Sequence, residues 1–177
     1  MTRTRVIPVL AAIALVAGLT GRAVAGGDDS HAPSKGGFVI EDTCIGPPDG
    51  FGVNPASGQA TPDAPPAIAD VVAGRCEITA IAGRPAGGRI GFTATVYDAR
   101  GGNPKTVDHG AFILSNGTIY AQGDGDLAVE QSGAPKTLAI TGGTGAYEGA
   151  EGVVIDELIS EEPNGDQRFR DTVRFTD

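Results

Sequence analysis

From Arg75 to the C-terminus, short runs of alternating apolar and polar residues are broken by a turn signal about every ten residues. Period-two alternation sets one side of each run against a core and the other against water, and its repetition at this spacing marks an antiparallel sandwich or barrel. The predicted strands lie near 75–82, 89–98, 107–115, 118–123, 125–130, 136–141, 147–160 and 167–176. Outside the N-terminal segment no window carries the apolar stripe of an amphipathic helix. The expected fold is all-β.

Two turns predict register. Asn116-Gly117, which also matches a glycosylation sequon with Thr118, suits a two-residue type I′ loop. Such a loop sets Ser115 opposite Thr118, Ile113 opposite Tyr120 and His109 opposite Asp124. In Glu162-Pro163-Asn164-Gly165-Asp166, Pro fits the first central position of a type I turn and Gly the left-handed position after it. The resulting three-residue loop pairs Glu162 with Asp166, then Ile159 with Phe169, Glu157 with Asp171 and Ile155 with Val173. On that register Glu157 and Asp171 meet on an otherwise apolar face. Two carboxylates in such surroundings cannot both ionise cheaply, so one retains its proton near neutrality and the pair can act as acid and base. The alternative is a pair separated by water at a barrel mouth, or neutralised by a basic group from a neighbouring strand.

The N-terminus reads as an export signal. Arg3 and Arg5 precede an apolar run from Val6 to Leu19, and Ala23-Val24-Ala25 supplies the small-x-small pattern of a cleavage site. The run is short of the roughly 20 apolar residues of a stable membrane span. The expected product, secreted or periplasmic, starts after Ala25. Residues 26–70 hold 8 Gly and 7 Pro, too little apolar material to offset backbone ordering, and read as a flexible segment before a barrel domain over 71–177. Within it, Phe38-Val39-Ile40 predicts one short strand. Cys44 and Cys76 are the only cysteines. In an oxidising compartment they are expected to form a disulfide tying this segment to the domain, with free thiols or a cysteine nucleophile, which no Cys-His spacing supports, as the other reading.

Charge removes one class of partner. The 13 basic and 22 acidic residues give −9, and loss of Arg3, Arg5 and Arg22 with the leader leaves 10 against 22, or −12. Such a surface repels nucleic acid.

The stretch Leu138-Ala139-Ile140-Thr141-Gly142-Gly143-Thr144-Gly145-Ala146-Tyr147-Glu148-Gly149-Ala150-Glu151-Gly152, with Gly117-Thr118-Ile119-Tyr120-Ala121-Gln122-Gly123 upstream, resembles the signature of the allene oxide cyclase-like and dirigent-like barrels. The resemblance spans roughly Arg75 to Asp177. It implies an eight-stranded antiparallel barrel of calycin type, often trimeric, whose apolar cavity folds a reactive substrate so that one stereoisomer forms. A dinucleotide fingerprint does not fit the same glycines: Gly143-x-Gly145-x-x-x-Gly149 is one residue too long, and a strand follows where a helix must start. The Glu-x-Asn pattern of plant allene oxide cyclases is found on none of the predicted strands, so that family's catalytic residues have no counterparts here.

Other constellations carry less. His109 facing Asp124, with Tyr120 and Gln122 farther along, would orient an imidazole as a base, or form a solvent-side ion pair on the more polar face. Gly123-Asp124-Gly125-Asp126 lacks the remaining ligands of a calcium loop. Arg168, Arg170 and Arg174 share one face of the last strand, a charged outer surface or subunit contact. The expectation is an exported barrel acting as isomerase or cyclase on a small apolar natural-product intermediate. It would need no metal or organic cofactor and would stand as a monomer or homo-oligomer, dimer or trimer. The alternative is a non-catalytic secreted barrel that binds an apolar ligand or builds an oligomer.

Overall fold

A computed structural model of the chain describes residues 36–45, 51–54, 67–126, 129–130 and 132–176. The leader expected over residues 1–25 lies outside them. The strands are β1 (Phe38–Cys44), β2 (Phe51–Asn54), β3 (Val71–Ile81), β4 (Arg84–Pro85), β5 (Arg89–Asp98), β6 (Lys105–Leu114), β7 (Gly117–Asp126), β8 (Lys136–Gly145), β9 (Gly152–Glu161) and β10 (Gln167–Phe175). Eight of them close an antiparallel barrel in the order β1-β10-β9-β8-β7-β6-β5-β3, with β3 pairing back to β1. The extra strand β2 extends the start of β3, and β4 pairs with its end. Among the described residues no helix is long and apolar enough to cross a membrane.

The count of eight matches the expectation, but its members differ. The run at 118–123 and the first two residues of the run expected at 125–130 are one strand, β7, while Val129 and Glu130 are helical; the eighth stave is β1, inside the segment read as flexible. Gly123 and Gly125 look like turn residues in the sequence. In the barrel they face inward, where a Cβ on Gly125 would come within 2.6 Å of both Asp108 Oδ2 and Glu130 Oε1. They are strand positions kept bare by what packs against them. The barrel therefore begins at Phe38, ahead of the boundary expected at 71. Cys44 and Cys76 lie directly opposite on β1 and β3 and form the expected disulfide, which fastens one stave to the next at the closing seam.

Each strand contributes every second residue to the interior. Ile40, Ile78, Ile119, Leu138, Val154 and Val173 are buried there. At the end where β1 begins and β10 finishes, Phe38, Tyr147 and Phe175 close the barrel with ring centroids 6.0–6.3 Å apart. Tyr147 comes from the β8–β9 turn of the glycine-rich signature, where Gly145 (φ +61°) reverses the chain. The opposite half of the barrel holds the cavity.

Candidate active site

The β9–β10 hairpin positions the interior acids. Its loop is as expected: the Glu162 N–H donates to the Asp166 carbonyl at 2.8 Å and the Gly165 N–H to the Glu162 carbonyl at 2.9 Å, with Gly165 at φ +86°. Gln167 then faces Glu161 and Arg168 faces Ser160, but the next pair is Phe169 with Leu158. Ile159 is an extra residue, bulged outward and 46% exposed. A one-residue bulge exchanges the faces of everything beyond it. Asp171 consequently faces Asp156, while Glu157 pairs with Arg170 on the outer wall, so the predicted Glu157–Asp171 contact is corrected to Asp156–Asp171. The sequence could not decide this, because both faces of β9 are apolar: Val153 and Ile155 on one, Val154 and Leu158 on the other.

His109 and Asp124 do not face one another either. The β6–β7 pairing is displaced by two residues, setting Leu114 opposite Gly117, His109 opposite Gln122 and Val107 opposite Asp124. Gly117 is drawn out of the corner into β7, where a Cβ would collide with the Thr144 carbonyl. An even displacement leaves the faces unchanged, so Phe112, Leu114, Ile119 and Ala121 are buried as expected. His109 and Asp124 are exposed on the outer wall.

A cavity of about 390 Å³ occupies the half of the barrel where β1, β5, β7 and β9 end. One wall is apolar, made by Val72, Ile90, Phe92, Ala94 and Phe112. The other carries Asp42 of β1, Asp171, Asp156, Lys136 of β8, Asp108 of β6 and Glu130 from the β7–β8 connection. Lys136 is the single cation in this arc. Its Nζ lies 3.1 Å from Asp108 Oδ2, 3.2 Å from Glu130 Oε2 and 3.4 Å from Asp156 Oδ2. Burial disfavours its charge, but the carboxylates of Asp156, Glu130 and Asp108 outweigh burial and hold it protonated.

Asp42 and Asp171 sit away from that lysine, 2% and 3% exposed, and share a side-chain hydrogen bond. Burial, and the charge of Asp156, push Asp42 up to about 6 and Asp171 well above the usual carboxylate range. Asp171 is the protonated partner and Asp42 the acceptor. Burial raises Asp156 and Glu130 as well, with Lys136 pulling each back. Asp42 Oδ2 and Asp108 Oδ1 are buried with no hydrogen-bond partner. Asp42 also lies near both cysteine sulfurs. The disulfide consumes both sulfurs and leaves Asp42 as the one ligand of that group, which therefore holds no metal site.

The sequence reading missed Asp42, Asp108, Glu130, Lys136 and Asp156. A signal was present for three. Phe38-x-Ile40-x-Asp42-x-Cys44, Asp108-x-Gly110-x-Phe112-x-Leu114 and Lys136-x-Leu138-x-Ile140 each put the charged residue on its strand's apolar face.

The sequence matches no protein-family model and no curated protein. Solved structures do resemble the fold. A pyocyanin demethylase aligns at 20% identity with a TM-score of 0.54, covering 78% of this chain and 99% of the other. A pterocarpan synthase dirigent protein aligns at 16% identity and a TM-score of 0.58, over 80% of this chain and 93% of the other. AbnU, an exo-specific intermolecular Diels-Alderase, aligns at 18% identity and a TM-score of 0.54, over 78% and 93%. At such identities the likeness is one of fold, and that fold is the barrel the glycine-rich signature pointed to.

Proposed function

We propose that this chain, which has the dirigent-like barrel fold, is an isomerase or cyclase acting on a small, largely apolar natural-product intermediate. The observation that carries the reading is the Asp42–Asp171 pair at the wall of a cavity whose opposite side is apolar. Asp171 would deliver its proton to an oxygen or alkene carbon of the bound substrate. A proton lost elsewhere from the same substrate would return to the Asp42–Asp171 pair, so that the net change is isomerisation. The apolar wall would hold the substrate in one folded conformer, a proximity effect that lowers a ring-closing barrier by several kcal/mol. Cyclase-like and dirigent neighbours support this reading at the level of fold. The leader pattern and the Cys44–Cys76 disulfide support action outside the cytoplasm.

The test is a panel of unsaturated epoxides, enones and dienes, with product configuration read by chiral chromatography and cavity occupancy by Nile red fluorescence. The expected result is a single product enantiomer with the natural protein, lost in Asp171→Asn and Asp42→Asn while dye binding is retained. Dye binding without turnover of any panel member would return the barrel to the role of a non-catalytic carrier.

A further inference from the structure

We infer that the guest of this cavity is a cation, a small molecule with a protonated nitrogen on an apolar body. The inference rests on the cavity being the functional site and adds the substrate's charge class. The arc from Asp42 through Asp171, Asp156, Lys136 and Glu130 to Asp108 sets five carboxyl groups against one ammonium. Lys136 is spent on Asp108, Glu130 and Asp156 and acts on Asp171 only from a distance, and no ion pair to Asp42 or Asp171 is found among the described residues.

The second observation is independent of charge count. Asp42 Oδ2 and Asp108 Oδ1 belong to side chains 2% and 4% exposed, line the cavity and accept no hydrogen bond. Buried acceptors of this kind are costly unless a donor is supplied. An ammonium or amidinium brings several donors and the missing positive charge together. A carboxylate or phosphate guest would bring acceptors and negative charge to a wall that already has too many of both. The facing wall of Val72, Ile90, Phe92 and Phe112 is suited to the guest's apolar body.

The experiment uses three probes of one size and different charge: 2-naphthylmethylamine, 2-naphthalenemethanol and 2-naphthoate, titrated calorimetrically at pH 7 against the full chain. The amine is expected to bind at least tenfold more tightly than the alcohol, and the naphthoate most weakly. Asp108→Asn is expected to erase most of the amine's advantage and leave the alcohol's affinity unchanged; equal losses for both probes would count against the inference. Should Asp108→Asn not fold, the comparison of amine with alcohol on the natural chain decides alone. Equal binding of amine and alcohol, or tighter binding of the alcohol, overturns the inference and leaves the cavity reading intact. Binding of none of the three overturns both.

Discussion

Asp171 of β10 faces Asp156 of β9 on neighbouring staves because Ile159, three residues nearer the hairpin loop, is bulged out of the ladder. That bulge decides which acidic residue of the Asp156-Glu157 pair joins the interior. The two carboxylates should therefore separate cleanly on substitution. The Asp156 charge raises both Asp42 and Asp171, so Asp156→Asn is expected to bring their titration to lower pH. Glu157→Gln, on the outer wall opposite Arg170, is expected to leave it unchanged and to alter stability by less than about 0.5 kcal/mol. Carboxyl ¹³C NMR titration of the two variants checks this.

Lys136 pairs with three carboxylates at once. Lys136→Met leaves them buried without a counter-charge, a change that costs about 3 kcal/mol at pH 7. The loss should shrink at pH 5, where Glu130 and Asp156, both raised by burial, take up protons more readily than exposed acids. Urea unfolding at the two pH values measures the difference.

The stability of the whole chain should fall as pH rises towards neutrality. Asp42 moves from 3.8 unfolded to about 6 folded, so the folded state holds its proton to higher pH than the unfolded chain. The contribution is fully present below the unfolded value, declines through the interval and is gone above the folded value. For Asp42 alone it is worth about 3 kcal/mol across that interval. Asp98 and Asp126, held low by Arg100 and Lys105, act in the opposite sense at pH values below the ordinary carboxylate range, outside this window. A Tm about 5 °C higher at pH 5 than at pH 7.5, by differential scanning calorimetry, is the expected outcome.

How much of this was legible differs from element to element. Most strands from Arg89 onward follow their alternation, although residues 147–150, predicted inside a strand, belong to the turn before β9, and the Glu162–Asp166 loop follows from local turn chemistry. The Phe38-Val39-Ile40 strand is legible, but its glycine- and proline-rich flanks hide that it is a stave of the barrel; that role comes from two long-range ladders, to β10 and β3, that leave little trace in local composition. The interior acids were obscured for a different reason. A bulge is one residue of backbone, and with Val153, Val154, Ile155 and Leu158 filling both faces of β9, no hydrophobic preference marks where it falls. The glycines at 123 and 125 look like punctuation in the sequence because the bulk that excludes a side chain there belongs to β6, β8 and the β7–β8 connection.

The Cys44–Cys76 bridge closes a separation of 32 residues at the seam of the barrel. Constraining a loop of that length in the unfolded chain is worth about 3.5 kcal/mol. The double variant Cys44→Ala/Cys76→Ala should lose about that much in urea denaturation, more than any surface substitution, and should also weaken retention of Nile red in the adjoining cavity.

The central claim is that Asp171 keeps its proton beside Asp42 at neutral pH, and infrared difference spectroscopy of the carboxyl C=O stretch reads this directly. At pH 7 the account predicts a protonated-carboxyl band in the natural chain that disappears in Asp171→Asn and persists in Glu157→Gln. A natural chain with no such band at pH 7, all of its carboxyl groups being ionised, would contradict it.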